Sequence, residues 1–280
     1  MHRHRSLAAV LLGAALLSSC DLFGNDKGLR DITAPTVPTS RVKFHNFSPG
    51  SVGVNFYAND VKITGVLTSN CANPTTAADS TACNTVGKES TTGIAYPTSA
   101  TSDAGTASGS RYAAIAPGQY TLAAKVAAQD VVVATAAQAI ADGKYYSFFM
   151  SGVYDATKKL AEAFVVEDPI PAGPVDYSVA SVRLVNAISN GTGPLTLYVT
   201  NVETKTETVI GSAVAYKSAG AFVSVPAGTY NLAVRYSGST TNLISRTGMS
   251  MVGGGVYTVT SRGSTATSST LGLNFTENQR

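Results

Sequence analysis

The stretch Ile115 to Lys125, IAPGQYTLAAK, returns 110 residues later as Val225 to Arg235, VPAGTYNLAVR. In both copies a Pro and a Gly make a turn, and an apolar side chain then recurs at every second position. Tyr120, Leu122, Ala124 and Val126 match Tyr230, Leu232, Val234 and Tyr236, while Gln119, Thr121 and Lys125 match Thr229, Asn231 and Arg235 on the opposite face. Successive Cβ atoms of a strand point to opposite faces of a sheet, so this alternation predicts a half-buried antiparallel strand. The chain is an internal duplication of a β unit.

The duplication extends both ways. Val42, Phe44 and Asn46 are answered by Val182, Leu184 and Asn186, and Val54 to Tyr57 by Leu195 to Tyr198. These early matches are offset by about 140 residues rather than 110, which locates an insertion at about 67–110 of the first copy. The insertion is rich in Ser, Thr, Ala, Asn and Gly and holds Cys71 and Cys83, which an oxidising compartment is expected to join as a disulfide. Val131 to Ala141, VVVATAAQAIA, has helical propensity, but its counterpart Asn242 to Val252 contains Ser245, Thr247 and Gly248. Two copies of one fold should agree, so strand is expected in both. Lys144 to Ser151, KYYSFFMS, follows the Asp142-Gly143 turn and is matched by Gly255 to Arg262. Tyr146 and Phe148 then point inward. Tyr145 and Phe149 point outward as possible ligand-facing aromatics for a sugar or a peptide, with packing beneath a loop or against the neighbouring domain as the alternative. Glu167 to Pro174, EDPIPAGP, is the natural boundary between the copies. Gly263 to Thr270 reads as solvated turn and Leu271 to Phe275 as a last strand.

Residues 1 to 20, MHRHRSLAAVLLGAALLSSC, have a cationic start and an apolar run from Leu7 to Leu17. Eleven apolar residues are too few for a hydrocarbon core of about 30 Å, so the segment reads as an export signal. Its tail, Leu17-Ser18-Ser19-Cys20, resembles the lipobox of bacterial lipoproteins, which implies acylation of the Cys20 thiol, by diacylglycerol and palmitate, and a membrane anchor. Each buried methylene contributes about 0.8 kcal/mol, so two or three chains would hold the protein firmly on a membrane. Asp21 resembles an inner-membrane retention signal of enteric bacteria; the outer membrane or cell surface is nonetheless the favoured location. The expected organisation is a signal peptide (1–19), a flexible tether (20–40), a first β-sandwich (41–168), a Pro-rich linker (169–178) and a second β-sandwich (179–280).

The chain of 280 residues has 20 Lys and Arg, 17 Asp and Glu, 26 Gly and no Trp. Removing Arg3 and Arg5 with the signal leaves 18 basic against 17 acidic residues, a balance of +1, and no basic face of the kind nucleic acid requires. His45 is the one histidine left after the signal, and as a candidate base it falls in a strand, where a partly exposed structural histidine is the simpler reading. Asp155, Glu162, Glu167 and Asp168 are the carboxylates available for glycoside hydrolysis, with no spacing that indicates a shared cleft. The sequence has no CxxC or Cys/His grouping for zinc. Asn59, Asp60, Asp79 and Asp103 lack the spacing of a calcium loop, and Gly253 to Gly255 precede a strand rather than a phosphate-cradling helix. No metal, cofactor or catalytic residue is expected.

The segments SRVKFHNFSPG, VNFYAND, IAPGQYTLAAK and DGKYY together resemble a bacterial domain of unknown function, domain of unknown function 4397, found in tandem in envelope lipoproteins and surface proteins. The resemblance covers about residues 40 to 275. It implies an immunoglobulin-like β-sandwich in each copy, two in tandem and antiparallel, and no established activity. The function expected is a non-enzymatic, lipid-anchored envelope protein that binds an envelope protein or glycan or acts as a spacer; the alternatives are a polysaccharide-directed hydrolase and a purely structural part of a surface assembly.

Overall fold

The computed structural model describes residues 38–63, 92–96 and 112–279. The signal segment, Cys20, most of the tether, Cys71, Cys83 and most of the insertion lie outside them. Pro38–Arg280 form one compact unit, and every regular element described in it is a strand.

The first copy contains β1 (Arg41–Asn46), β2 (Val54–Ala58), β3 (Val61–Lys62), β4 (Ala113–Ala114), β5 (Gly118–Val126), β6 (Val132–Ile140), β7 (Tyr145–Asp155) and β8 (Leu160–Glu167). The second contains β9 (Val179–Asn186), β10 (Leu195–Asn201), β11 (Glu207–Val214), β12 (Ser218–Ala219), β13 (Val223–Pro226), β14 (Gly228–Tyr236), β15 (Ile244–Met251), β16 (Val256–Ser264) and β17 (Thr267–Gln279). Each copy is a pair of sheets. The orders are β4-β1-β7-β8 and β3-β2-β5-β6 in the first, and β12-β9-β16-β17 and β11-β10-β14-β15 in the second, where β13 also pairs with β9.

The pairing registers bear out the alignment of the two copies. Phe44 pairs with Phe148 as Leu184 pairs with Val259, and Phe56 with Ala124 as Leu197 with Val234. The alanine-rich run is strand β6 because β5 offers it a ladder from Gly118 to Lys125, and tertiary pairing overrides a propensity difference of tenths of a kcal/mol per residue.

Two details differ from the sequence reading. The sheets are mixed: β1 and β7, and likewise β9 and β16, run parallel. Antiparallel partners can be joined by a tight hairpin, whereas these pairs are joined through the opposite sheet, which returns the chain in the same direction. The stretch 263–270 is also less open than expected, since β16 and β17 are paired up to Ser264 and Thr267 and form one long hairpin.

The cores follow the alternation. Val42, Phe44, Phe56, Leu122, Phe148 and Met150 fill the first sandwich, and Leu184, Leu197, Leu232, Val234, Tyr257 and Leu273 the second. In the first, Phe44 stacks on Phe56 at 5.1 Å between ring centroids. A third apolar cluster joins the copies: Phe47, Phe149 and Phe164 of the first with Val185 and Ala187 of the second. The outer side of β4-β1-β7-β8 therefore packs on the equivalent side of β12-β9-β16-β17, and the residues that alternation sends away from each sandwich core are buried between the two.

Candidate functional site

The contact between the copies carries most of the buried charge described in the molecule. Arg183, on β9, is 1% exposed. It donates from Nη1 to the carbonyl of Glu167 at 3.0 Å, from Nη2 to the Asp168 carboxylate, and from Nε to Thr258 Oγ1 at 3.1 Å. Asp168 Oδ2 accepts from Ser147 Oγ and from the Tyr112 hydroxyl, each at 2.7 Å. Burial and the neighbouring Asp168 carboxylate push the Tyr112 phenol above its ordinary range, so it stays a donor.

The same arrangement occurs a second time, with the copies exchanged. Lys43, on β1, is fully buried and donates to the carbonyl of Glu277 at 3.4 Å and to Asn278 Oδ1 at 3.2 Å. Asn278 Nδ2 in turn donates to Thr258 Oγ1 at 2.7 Å. Lys43 and Arg183 are equivalent at the 140-residue offset, Glu167-Asp168 and Glu277-Asn278 at 110, and Ser147 and Thr258 stand opposite their cations in register. Each copy thus sends a cation from its first strand to the end of the other copy's last strand. That reciprocity is the mark of an isologous interface, here closed within one chain.

The interface explains His45. It is 3% exposed, stacked on Phe149 at 4.6 Å and on Phe47 at 5.2 Å. The reading as a partly exposed strand histidine is corrected, because its face of β1 is covered by the second copy. Burial first, and then the charges of Lys43 and Arg183, hold its pKa well below the ordinary imidazole value. Phe149 is 1% exposed and stacks on Phe164 at 5.0 Å. It lies in the apolar cluster that joins the copies.

Tyr145 is only half-buried, edge-on to Tyr112 at 5.1 Å. It lines a groove of about 460 Å³ between the turn Asp142–Lys144 and the linker from Glu167 to Ala172. A smaller hollow of about 190 Å³ continues along Pro171 to Asp176 against Gly254 to Val256. The carboxylates weighed as acid and base are occupied in the fold. Asp168 is in the clasp, Glu162 binds Lys217 at 2.8 Å, Glu167 binds Lys144 at 3.0 Å, and Asp155 caps the turn through the amides of Thr157 and Lys158 at 2.9 Å. Asn59 and Asp60 form a positive-φ turn in which Asn59 accepts from the Thr121 amide and Asp60 pairs with Lys125. Among the described residues no group of three or more His, Cys, Asp or Glu could hold a metal.

A second duplicated feature escapes a sequence reading. Lys125 lies 4.8 Å from the Tyr57 ring and pairs with Asp60 and Asp130, while Arg235 lies 4.0 Å from the Tyr198 ring and pairs with Glu207. Tyr57 and Tyr198 are equivalent, as are Lys125 and Arg235, so each outer sheet carries one aromatic, one cation and its counter-charge. Such a cluster fixes the strands it joins. Its sequence signal is the Lys or Arg found at one outward position of both copies.

No curated protein matches the chain. Among solved structures it is similar to the Bacillus anthracis TIE protein, at 11% sequence identity and a TM-score of 0.24, over 82% of this chain and 34% of that one. The chain therefore spans about a third of that protein's length. Residues 180–280, a little over a third of the chain and most of the second copy, match the model described as Domain of unknown function (DUF4397).

Proposed function

We propose that the protein is a non-enzymatic, lipid-anchored component of the bacterial cell envelope, in which two β-sandwich domains act as a rigid binding or spacer module at the outer membrane or cell surface. The observation that carries the module reading is the reciprocal clasp. Lys43, Arg183 and Asp168 are spent on holding one copy against the other, so the body is suited to present its loops at a fixed separation rather than to close around a substrate. Support for the anchor comes from the segment Leu7 to Cys20, and the partner expected is an envelope protein or a glycan.

Growth with an alkyne-bearing palmitate analogue tests the anchor: the label should appear on the chain and vanish in Cys20→Ser, and labelling of neither would remove this reading. In-cell crosslinking of the acylated protein then asks what the module holds, a reproducible envelope partner being the expected capture.

A further inference from the structure

The end of the body where the chain enters from the tether is built differently from the rest of its surface. Thr39 donates to the Asp142 carboxylate and the Arg41 amide donates to the Lys144 carbonyl, so Pro38 to Arg41 is tied to the turn that forms one wall of the linker groove. Across the groove the linker runs to Val175 and Tyr177. Tyr177 is 77% exposed and Val175 51%, and Val252, which directly precedes the two glycines packed against them, is 42% exposed.

These side chains project from a braced backbone. Asp176 accepts from the Ser178 amide at 2.8 Å, the Gly254 amide donates to the Val179 carbonyl at 2.7 Å, and the Ala227 amide donates to the Ser178 carbonyl at 2.8 Å. A Cβ on Gly253 would stand 1.7 Å from the Tyr177 carbonyl oxygen, and one on Gly254 would stand 2.5 Å from Val175 Cγ1. Only glycines allow the β15–β16 turn to support the linker this closely. The result is a fixed apolar projection tipped by a tyrosine, at the end from which the tether departs.

We infer that Val175, Tyr177 and Val252 form a docking surface for the lipid headgroup and upper acyl region of the membrane that anchors the chain. The inference rests on the anchored reading above. Residues 21–37 separate the acylated thiol from Pro38, and a stretch of that length can reach at most about 60 Å. The patch is thereby held near the bilayer at an effective concentration in the millimolar range, where a small apolar surface suffices. Tyrosine with aliphatic neighbours is the side-chain set that partitions to a headgroup region. The charged groups around it, Asp142, Lys144, Glu167 and Asp176, are mostly acidic, so the contact is apolar and does not select anionic lipid.

The absence of Trp from the chain gives a clean reporter. The full acylated protein carrying Tyr177→Trp is reconstituted in phosphatidylcholine/phosphatidylethanolamine vesicles with a fraction of dibrominated chains, beside a control carrying Val132→Trp on β6. The expected result is a blue-shifted Tyr177→Trp emission, quenched at least twofold by the brominated lipid and unchanged by 0.5 M salt, with the control unquenched. Adding Val175→Ser and Val252→Ser should abolish the quenching while the protein still floats with vesicles. Flotation without quenching of Tyr177→Trp overturns the docking surface and leaves the anchor standing. A chain bearing Cys20 that does not float overturns the anchor, and the docking surface with it.

Discussion

Arg183 and Lys43 make the same reach in opposite directions, yet their partners differ: Arg183 meets a carboxylate and Lys43 an amide. Removing one member of a buried charge pair costs about 3–5 kcal/mol because the other charge is left without compensation, whereas losing a neutral acceptor from a charged donor costs about 1–3 kcal/mol. Asp168→Ala should therefore destabilise the protein markedly more than Asn278→Ala in urea denaturation, and equal losses would show that the two clasps do not differ as their chemistry implies. Both cations occupy the third position of matching six-residue segments, RVKFHN in β1 and SVRLVN within β9, and both copies end on Glu followed by Asp or Asn. That symmetry was legible in the sequence. Its meaning was not, because alternation alone assigns Lys43 and His45 to the face away from the core and cannot say that a second copy covers that face.

His45 gives this buried contact a pH dependence with a definite sign. Its folded-state pKa is lowered by burial and by Lys43 and Arg183, while in the unfolded chain it titrates near 6.5. Below about pH 6.5 the unfolded state therefore binds the proton first, and stability falls as the pH drops. Each pH unit in that window lowers stability by at most about 1.4 kcal/mol. The melting temperature should fall between pH 7.5 and 5.5, and most of that fall should disappear in His45→Leu, since the equivalent residue Val185 is aliphatic. An unchanged pH profile in the variant would assign the effect elsewhere.

At the level of elements, the two turns that lead into β7 and β16 do equivalent jobs by different means. Gly143 in the first has φ +67, and a Cβ added to it would meet no atom within 4 Å, so its constraint is conformational alone. Gly253 in the second has no such φ, but stands against the Tyr177 carbonyl. Asn tolerates the left-handed region and a tight contact does not tolerate Asn, so the two sites separate under the same substitution. Gly143→Asn should stay within about 0.5 kcal/mol of the parent, and Gly253→Asn should lose about 1–3 kcal/mol as an overpacked site does. Thermal denaturation of the pair decides it; matching losses would mean the close approach is relieved by backbone movement. The sequence showed both turns through their glycines, and strands β5, β6, β14 and β15 through alternation and duplication. It could not show that β1 and β7 run parallel, because the alternation of one strand carries no information about the direction of its neighbour.

Across the whole body, the two clasps and the cluster of Phe47, Phe149, Phe164, Val185 and Ala187 couple two pairs of sheets, each with its own hydrophobic cluster. Coupling of this kind decides how the molecule unfolds. If the interface is worth more than the margin by which either copy is stable alone, neither copy can melt without the other, and one transition covers both. At about 0.7 kcal/mol per residue near 60 °C, a single unit spanning Pro38–Arg280 has an unfolding enthalpy of roughly 170 kcal/mol, and one copy about half that. Calorimetry should show one peak whose van't Hoff enthalpy approaches the larger figure. Replacing both Asp168 and Asn278 by Ala removes the side-chain acceptor that each cation reaches across the contact, leaving the Glu167 and Glu277 carbonyls and each core in place. The van't Hoff value should then fall toward the smaller figure, as the peak broadens or divides, while the total heat changes little. A double variant that still melts as one unit with the larger van't Hoff value would assign the coupling to the aromatic cluster, and Phe149→Ala would then be the change that separates the copies.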